Sequence, residues 1–206
     1  MQIKALVFDV FGTVVDWRRS ITRQVKVFAD ERGVAGDWAA FADRWREGYT
    51  SGMAQINAGK DVWKNVDEIH RARLDILLSE FDLPNVPESE IAQLNRAWHR
   101  LDPWPDSVSG LTRLKSKFVI ATLSNGNVSL LVDMAKFGKL PWDCVLSSEL
   151  AGRYKPDHAV YRYAASILDL PCEQVMMVAA HLFDLVAASE AGLRTAFVSR
   201  PDEYGD

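Results

Sequence analysis

The chain has 206 residues, of which 48% are apolar and 25% charged, and its formal net charge is −4. That length supports one substantial core, or a core with a smaller inserted unit, and nothing suggests a third. The composition excludes disordered and collagen-like classes, and the acidic balance speaks against general nucleic-acid or anionic-membrane binding.

Residues 3–10 read as a first strand, because the apolar β-rich run Leu6-Val7-Phe8 ends abruptly on Asp9, followed by the turn glycine Gly12. In an open parallel α/β sheet the carboxyl ends of strands are where ligands bind, which makes Asp9 a candidate for chemistry. An Asp at such a place can also simply cap the next turn. The same N-terminal run has no basic leader and no small-residue cleavage site, so a signal peptide is not expected. No stretch approaches the roughly 20 apolar residues of a membrane span. Cys144 and Cys172 are too few for a disulfide framework and read as free buried thiols. A cytoplasmic protein is the expectation.

From Trp17 to Leu101 the pattern is helical throughout. Trp38, Phe41, Trp45, Tyr49 and Met53 recur three or four apart, as do His70, Leu74, Leu77, Leu78 and Phe81, and then Ile91, Leu94 and Trp98. Breaks fall at Asn57-Ala58-Gly59 and around Pro84 to Pro87. Most of these aromatic residues are expected to be the insert's own core, and Arg46, on the flank of the first of these stripes, reads plainly as a solvated helix residue. Asp102-Pro103-Trp104-Pro105-Asp106 is a rigid return linker.

Alternating α/β character resumes with a helix over 106–116 and a buried strand over 118–123 that stops at Ser124-Asn125-Gly126. A helix over 128–137 and a short strand over 143–146 lead to Tyr154-Lys155-Pro156-Asp157, where the proline and aspartate suit the first turn of the next helix. Strand 174–178 ends at Ala179-Ala180-His181-Leu182-Phe183-Asp184, and a last strand over 194–199 ends at Arg200-Pro201. Each polar strand end has an ordinary turn-forming explanation when taken alone.

Together the four strand ends resemble the four motifs of the haloacid dehalogenase superfamily, in order and spacing: Asp9-Val10-Phe11-Gly12-Thr13, then Ser124-Asn125, then Lys155, then the run ending at Asp184. The resemblance is strong over 3–13 and 118–199 and weak through the insert. It implies a Rossmann-like doubly wound parallel sheet formed by residues 1–16 and 101–206, with 17–100 as an all-helical cap. Family members generally continue further past the last strand, so a trimmed or short variant is expected.

In this family Asp9 is the nucleophile of a covalent intermediate. Phosphatases usually place a second Asp, the general acid, where this chain has Phe11; a phenyl ring cannot deliver a proton, and chloride or bromide leaves without one. The resemblance therefore points to the L-2-haloacid dehalogenase branch. It implies that Asp9 displaces halide from C2 of a short 2-haloacid with inversion, and that water then hydrolyses the aspartyl ester to a 2-hydroxy acid. By the same resemblance Lys155 neutralises the approaching anions, Thr13, Ser124 and Asn125 orient nucleophile and substrate, and Arg46, of the Trp45-Arg46 pair, receives the halide or the substrate carboxylate. Tyr161 falls where the dehalogenase branch has a tyrosine near the site, or is a half-buried helix aromatic. Asp184 helps orient or deprotonate water.

Ala179 and His181 depart from the family pattern, which has a serine and an asparagine there. His181 is either hydrogen-bonded in place, or a donor or base for the hydrolytic water. One carboxylate beside Asp9 is a poor Mg²⁺ site, so neither metal nor cofactor is expected. A phosphatase and a catalytically inactive binding protein of the same fold remain as alternatives. The halogen and chain length are not legible, and a homodimer is only the commonest assembly.

Overall fold

The computed structural model describes residues 2–83 and 85–205; Pro84, at one of the expected helix breaks, lies outside them. The chain opens with strand β1 (Ala5–Phe8), then a short strand β2 (Val15–Asp16). Helices α1 (Trp17–Asp30), α2 (Trp38–Asn57), α3 (Val66–Glu80) and α4 (Glu88–Asn95) follow, and α4 tightens into a 3₁₀ turn over Arg96–His99. Strand β3 (Asp102–Pro103) pairs antiparallel with β2, a two-stranded ribbon through which the chain leaves the helical insert beside the place it entered.

The second half alternates: α5 (Ser107–Lys115), β4 (Val119–Ser124), α6 (Val128–Gly138), β5 (Cys144–Ser147), α7 (Ser148–Ala151), α8 (His158–Ile167), β6 (Val175–Ala179), α9 (Leu182–Glu190) and β7 (Arg194–Phe197). The strands form one parallel sheet in the order β5-β4-β1-β6-β7. This is the doubly wound arrangement, and the direction of winding reverses about β1, where such sheets place their binding crevice. Alternation along β1 sends Ala5 and Val7 to one face, against α8 and α9, and Leu6 and Phe8 to the other. The second cluster runs on into the helical insert through Phe11, Trp17, Trp45 and Trp98.

Local chemistry explains the insert's helices. Asp16 and Asp37 cap α1 and α2 through their side chains, and Asn65 with Glu68 makes a reciprocal capping box on α3. At Gly52 a Cβ would lie 2.6 Å from Ile69 Cγ2, so only glycine permits this approach of α2 to α3. The insert is clasped to the sheet domain at two places. Asn57 and Tyr154 exchange hydrogen bonds of 2.9 and 3.1 Å while Trp63 stacks on the Tyr154 ring. On the other side, buried His99 stands between Asp67 of α3 (3.0 Å) and Asp133 of α6 (2.9 Å), and Asn127 Nδ2 also donates to Asp67.

Three details differ from the sequence expectation. Trp98 belongs to the 3₁₀ turn and not to the helix of Ile91 and Leu94, because the tighter turn brings His99 between its two carboxylates. Strand β1 stops at Phe8, where the Val10 carbonyl begins to accept from Val14 and Val15. Helix α8 starts at His158, with Asp157 as its capping residue accepting from Ala159 N, so Pro156 precedes the helix.

Candidate active site

The ends of β1, β4 and β6 converge, and Asp9 lies at their centre, 7% exposed. Its two oxygens are treated unequally. Oδ2 accepts from the Thr13 hydroxyl at 2.8 Å and faces His181 Nδ1 at 3.0 Å, whereas Oδ1 accepts from Lys155 Nζ at 3.0 Å. Thr13 is fixed as a donor, since the Ala180 N–H occupies its oxygen at 2.9 Å. With two donors on Oδ2 and one on Oδ1, it is Oδ1 that retains a free lone pair.

Lys155 is 6% exposed, and its ammonium bridges Asp9 to Asp184 Oδ2 at 2.5 Å. Tyr161, fully buried, donates its hydroxyl to the other Asp184 oxygen at 2.5 Å. Burial alone would raise the Asp9 carboxyl, but the Lys155 charge and the His181 hydrogen bond hold it well below the ordinary range. Burial would lower the Lys155 ammonium, and the charges of Asp184 and Asp9 reverse this and raise it. Asp9 is therefore an anion held beside a cation, ready for nucleophilic use without prior deprotonation.

Asn125 organises the Lys155 loop: its Oδ1 accepts from Lys155 N at 2.8 Å and from Ser148 Oγ at 2.6 Å. Ser124 precedes it at the end of β4. It is buried and its Oγ accepts from Gly126 N at 3.2 Å, a contact within its own loop and not with Asp9. Phe11 stays behind the cavity wall, its ring 5.4 Å from the Arg46 guanidinium carbon.

The cavity, about 190 Å³, lies between sheet and insert, with Asp9, Lys155, Asp184 and His181 below and Arg46, Tyr49 and Met53 above. It has room for an acid of a few heavy atoms. A larger groove of about 700 Å³ on the outside of α1 and α4 contains none of these groups. Arg46 is half-buried and not simply solvated, since successive helix positions rotate about 100° and Trp45 takes the core side. Its guanidinium lies 4.4 Å from the Tyr49 ring centre and 5.4 Å from those of Phe11 and Trp17. Among the described residues its buried Nη1 has no hydrogen-bond partner, nor have Trp98 Nε1 and both ring nitrogens of His70, which stacks on Trp98 at 4.2 Å.

Two residues here were not singled out from the sequence. Tyr49 was counted only in an apolar stripe, although its spacing from Arg46, three residues on one helix face, was a usable signal. Glu203 had no signal. It is 2% exposed in the segment after β7, accepts from Trp17 Nε1 at 3.0 Å, and places both carboxylate oxygens 3.0 Å from His181 Nε2. It packs so closely over Gly12 (φ +82°) that a Cβ there would overlap its carboxylate. Burial alone would lower the His181 imidazole, but Asp9 and Glu203 raise it to about 9.

Among the described residues no group of three or more His, Cys, Asp or Glu side chains is arranged to hold a metal ion. The carboxylates of Asp9 and Asp184 share the Lys155 ammonium. No helix among the described residues is long and apolar enough to cross a membrane.

A buried aspartate at the switch point of a parallel sheet, paired with a lysine and roofed by helices, defines a hydrolase of the haloacid dehalogenase-like family. The family's model matches residues 3–192, and the chain belongs to it. Among curated relatives, (S)-2-haloacid dehalogenase 4A of Burkholderia cepacia is 30% identical, the match covering 98% of this chain and 87% of that one. Among solved structures, a defluorinating L-2-haloacid dehalogenase superposes with a TM-score of 0.96 at 46% identity, over 99% of this chain and 84% of that one. The L-2-haloacid dehalogenase of Xanthobacter autotrophicus with chloropropionic acid covalently bound gives 0.82 at 26%, over 96% and 78%.

Proposed function

We propose that this protein hydrolyses the carbon–halogen bond of short 2-haloalkanoic acids to 2-hydroxy acids, with inversion at C2, through an ester on Asp9. The observation that carries the reading is the inequality of the Asp9 oxygens: Oδ2 is held by two donors, and Oδ1, beside Lys155, keeps a lone pair on a small cavity. Its similarity to (S)-2-haloacid dehalogenases supports the substrate class.

In the first step Oδ1 attacks C2 from behind and the halide departs with the bonding pair toward Arg46. Lys155 offsets the repulsion between Asp9 and the substrate carboxylate, an effect enlarged where water is excluded. In the second step water attacks Cγ of Asp9. Asp184 takes the water's proton and passes it to the departing alkoxide, and the regenerated Asp9 carboxyl ionises. Solvent oxygen thus enters Asp9 before it enters product. Tyr161 and Asn125 act by holding Asp184 and Lys155 in place. No acid is required at Phe11, because a halide leaves unprotonated.

The reading includes residues 17–100 acting as a cap over a core of 1–16 and 101–206, and a cytoplasmic setting, which the free thiols Cys144 and Cys172 suit. A homodimer accompanies it only as the commonest assembly, to be settled by sedimentation. The activity test is halide release from both enantiomers of 2-chloropropionate, chloroacetate and fluoroacetate, in EDTA, with Asp9→Asn as control. Fluoroacetate belongs in the set because fluoride departs only toward strong donors, and Arg46 Nη1 has no protein partner to compete. Release in EDTA that the control abolishes supports the proposal; no release from any of them overturns it.

A further inference from the structure

His181 is the one functional group at the site whose role the motif pattern leaves open, and its surroundings decide it. Nδ1 lies 3.0 Å from Asp9 Oδ2, and Nε2 lies 3.0 Å from both oxygens of Glu203. A carboxylate offers no proton, so each ring nitrogen must carry its own hydrogen to make these contacts. Donating to both carboxylates at once requires the imidazolium form, which has no lone pair with which to accept a proton from water.

We propose that Glu203 is a positioning residue that holds His181 in this doubly donating form, and that His181 Nδ1–H and the Thr13 hydroxyl together make the oxyanion hole for hydrolysis of the Asp9 ester. The proposal rests on the dehalogenase reading and assigns the second step of that reaction. Once Oδ1 has become the ester oxygen, Oδ2 is its carbonyl oxygen. When water adds to Cγ, the electron pair of the carbonyl π bond moves onto Oδ2, where Thr13 at 2.8 Å and His181 at 3.0 Å already point. When the pair returns, the Cγ–Oδ1 bond breaks and the alkoxide leaves with the proton held by Asp184. Donors fixed before the charge develops need no reorganisation, which is what makes such holes effective.

Glu203 is suited to this task by its burial and by its second anchor, the Trp17 indole N–H. Phe183 covers the imidazole at 5.5 Å. The charged groups facing His181 are Asp9 and Glu203 in direct contact, with Lys155, Asp184 and Arg46 across the cavity. The elevation of His181 to about 9 agrees with the geometry.

Rapid quench and intact-protein mass spectrometry with (S)-2-chloropropionate separate the steps in the parent enzyme, Glu203→Gln and His181→Ala. We expect the halide burst to survive while the Asp9 ester accumulates, with hydrolysis slowed about 10²-fold in His181→Ala and about tenfold in Glu203→Gln. In the parent, hydrolysis should fall as pH rises through the His181 titration, which in the ester lies below the resting value of about 9 because the Asp9 charge is gone, and Glu203→Gln should move that limb lower still. Independently of any variant, ¹⁵N resonances of the resting enzyme at neutral pH should show both His181 nitrogens protonated. Three results would each overturn the proposal: hydrolysis that quickens as pH rises through the His181 titration, a neutral His181 in the resting enzyme, or a Glu203→Gln variant with unchanged hydrolysis and alkaline limb. A parent enzyme that releases no halide at all would instead refute the dehalogenase reading.

Discussion

The floor and the roof of the cavity are built on opposite plans. On the floor, formed by the ends of the parallel strands, Asp9, Thr13, Lys155, Tyr161, His181, Asp184 and Glu203 are joined in one network of hydrogen bonds. In the helical roof, Arg46 Nη1, Trp98 Nε1 and both nitrogens of His70 are buried with no partner among the described residues. Buried polar groups normally find partners, so a cluster without them is a departure that calls for a reason. The floor must hold one carboxylate at one geometry, for which a completed network serves. Of the roof's unpartnered groups Arg46 lines the cavity, and a donor already committed to a protein acceptor could not receive a group that leaves.

The sharpest way to break this contrast is to cut the network at its centre. Asp9→Asn should lower halide release by at least about 10³-fold, since the amide fills the same space and its oxygen can still accept from Thr13 and His181, while its NH2 loses the Lys155 contact and it is no nucleophile; measurable turnover would remove Asp9 from the chemistry. Lys155→Met should follow, reducing turnover about 10²-fold or more and destabilising the chain by roughly 3 kcal/mol, because Asp9 and Asp184 are then buried without their shared cation. Denaturant unfolding of this variant checks the second figure. In the roof, Arg46→Lys should slow halide departure roughly tenfold, as an ammonium lacks the planar fork of donors, and should leave Tm nearly unchanged. A large fall in Tm would show that Arg46 belongs to the structural network after all.

Titration sharpens the same contrast. The folded-state carboxyl of Asp9 is depressed, so its contribution to stability is complete above the unfolded value near 3.8 and fades as pH falls below it. His181 is raised from 6.5 to about 9, so its contribution is complete below 6.5 and fades as pH rises through about 9. Tm against pH should therefore decline between about 6.5 and about 9, and His181→Asn should flatten that decline. The smallest effect belongs to the roof. His70 is held neutral, burial and then the Arg46 charge keeping it well below 6.5. With neither nitrogen bonded to protein, His70→Phe keeps the stack on Trp98 and removes an unsatisfied polar group, so Tm should rise by about 1–3 °C. A fall of that size would mean that the imidazole has a partner in solution.

The legible parts of this molecule are those where an apolar run stops on a polar residue. Asp9 and Asn125 are legible because parallel strands advertise their ends, Lys155, beyond α7, and Asp184, within α9, only through the motif resemblance, and the insert's helices because their stripes repeat at helical spacing. The illegible parts depend on contacts between distant segments. Glu203 lies among Arg200, Pro201, Asp202 and Tyr204, a pattern that reads as surface, and becomes a partner of His181 only when the segment folds back over Gly12. The Asn57–Tyr154 clasp was hidden because Asn57 already had a sufficient explanation as part of a helix break. Ser124 shows a further limit: the sequence places it at the strand end, and its hydroxyl accepts from the backbone of its own loop. Motif spacing locates a backbone position, and the direction of a short side chain is decided by the nearest unsatisfied amide.

Strand β1 carries the nucleophile in the middle of the sheet, with Ala5 beside Val119 on one flank and Val175 on the other. It is also the earliest strand to leave the ribosome. More than a hundred residues must follow before either neighbour exists, and the loop entropy of closing such distances comes due before any strand pairing repays it. The four helices in between contact chiefly their sequence neighbours and can assemble while the sheet is still open. In this topology the reactive centre is among the last features to form, so a chain stalled part-way displays its aromatic roof before it possesses any capacity to react.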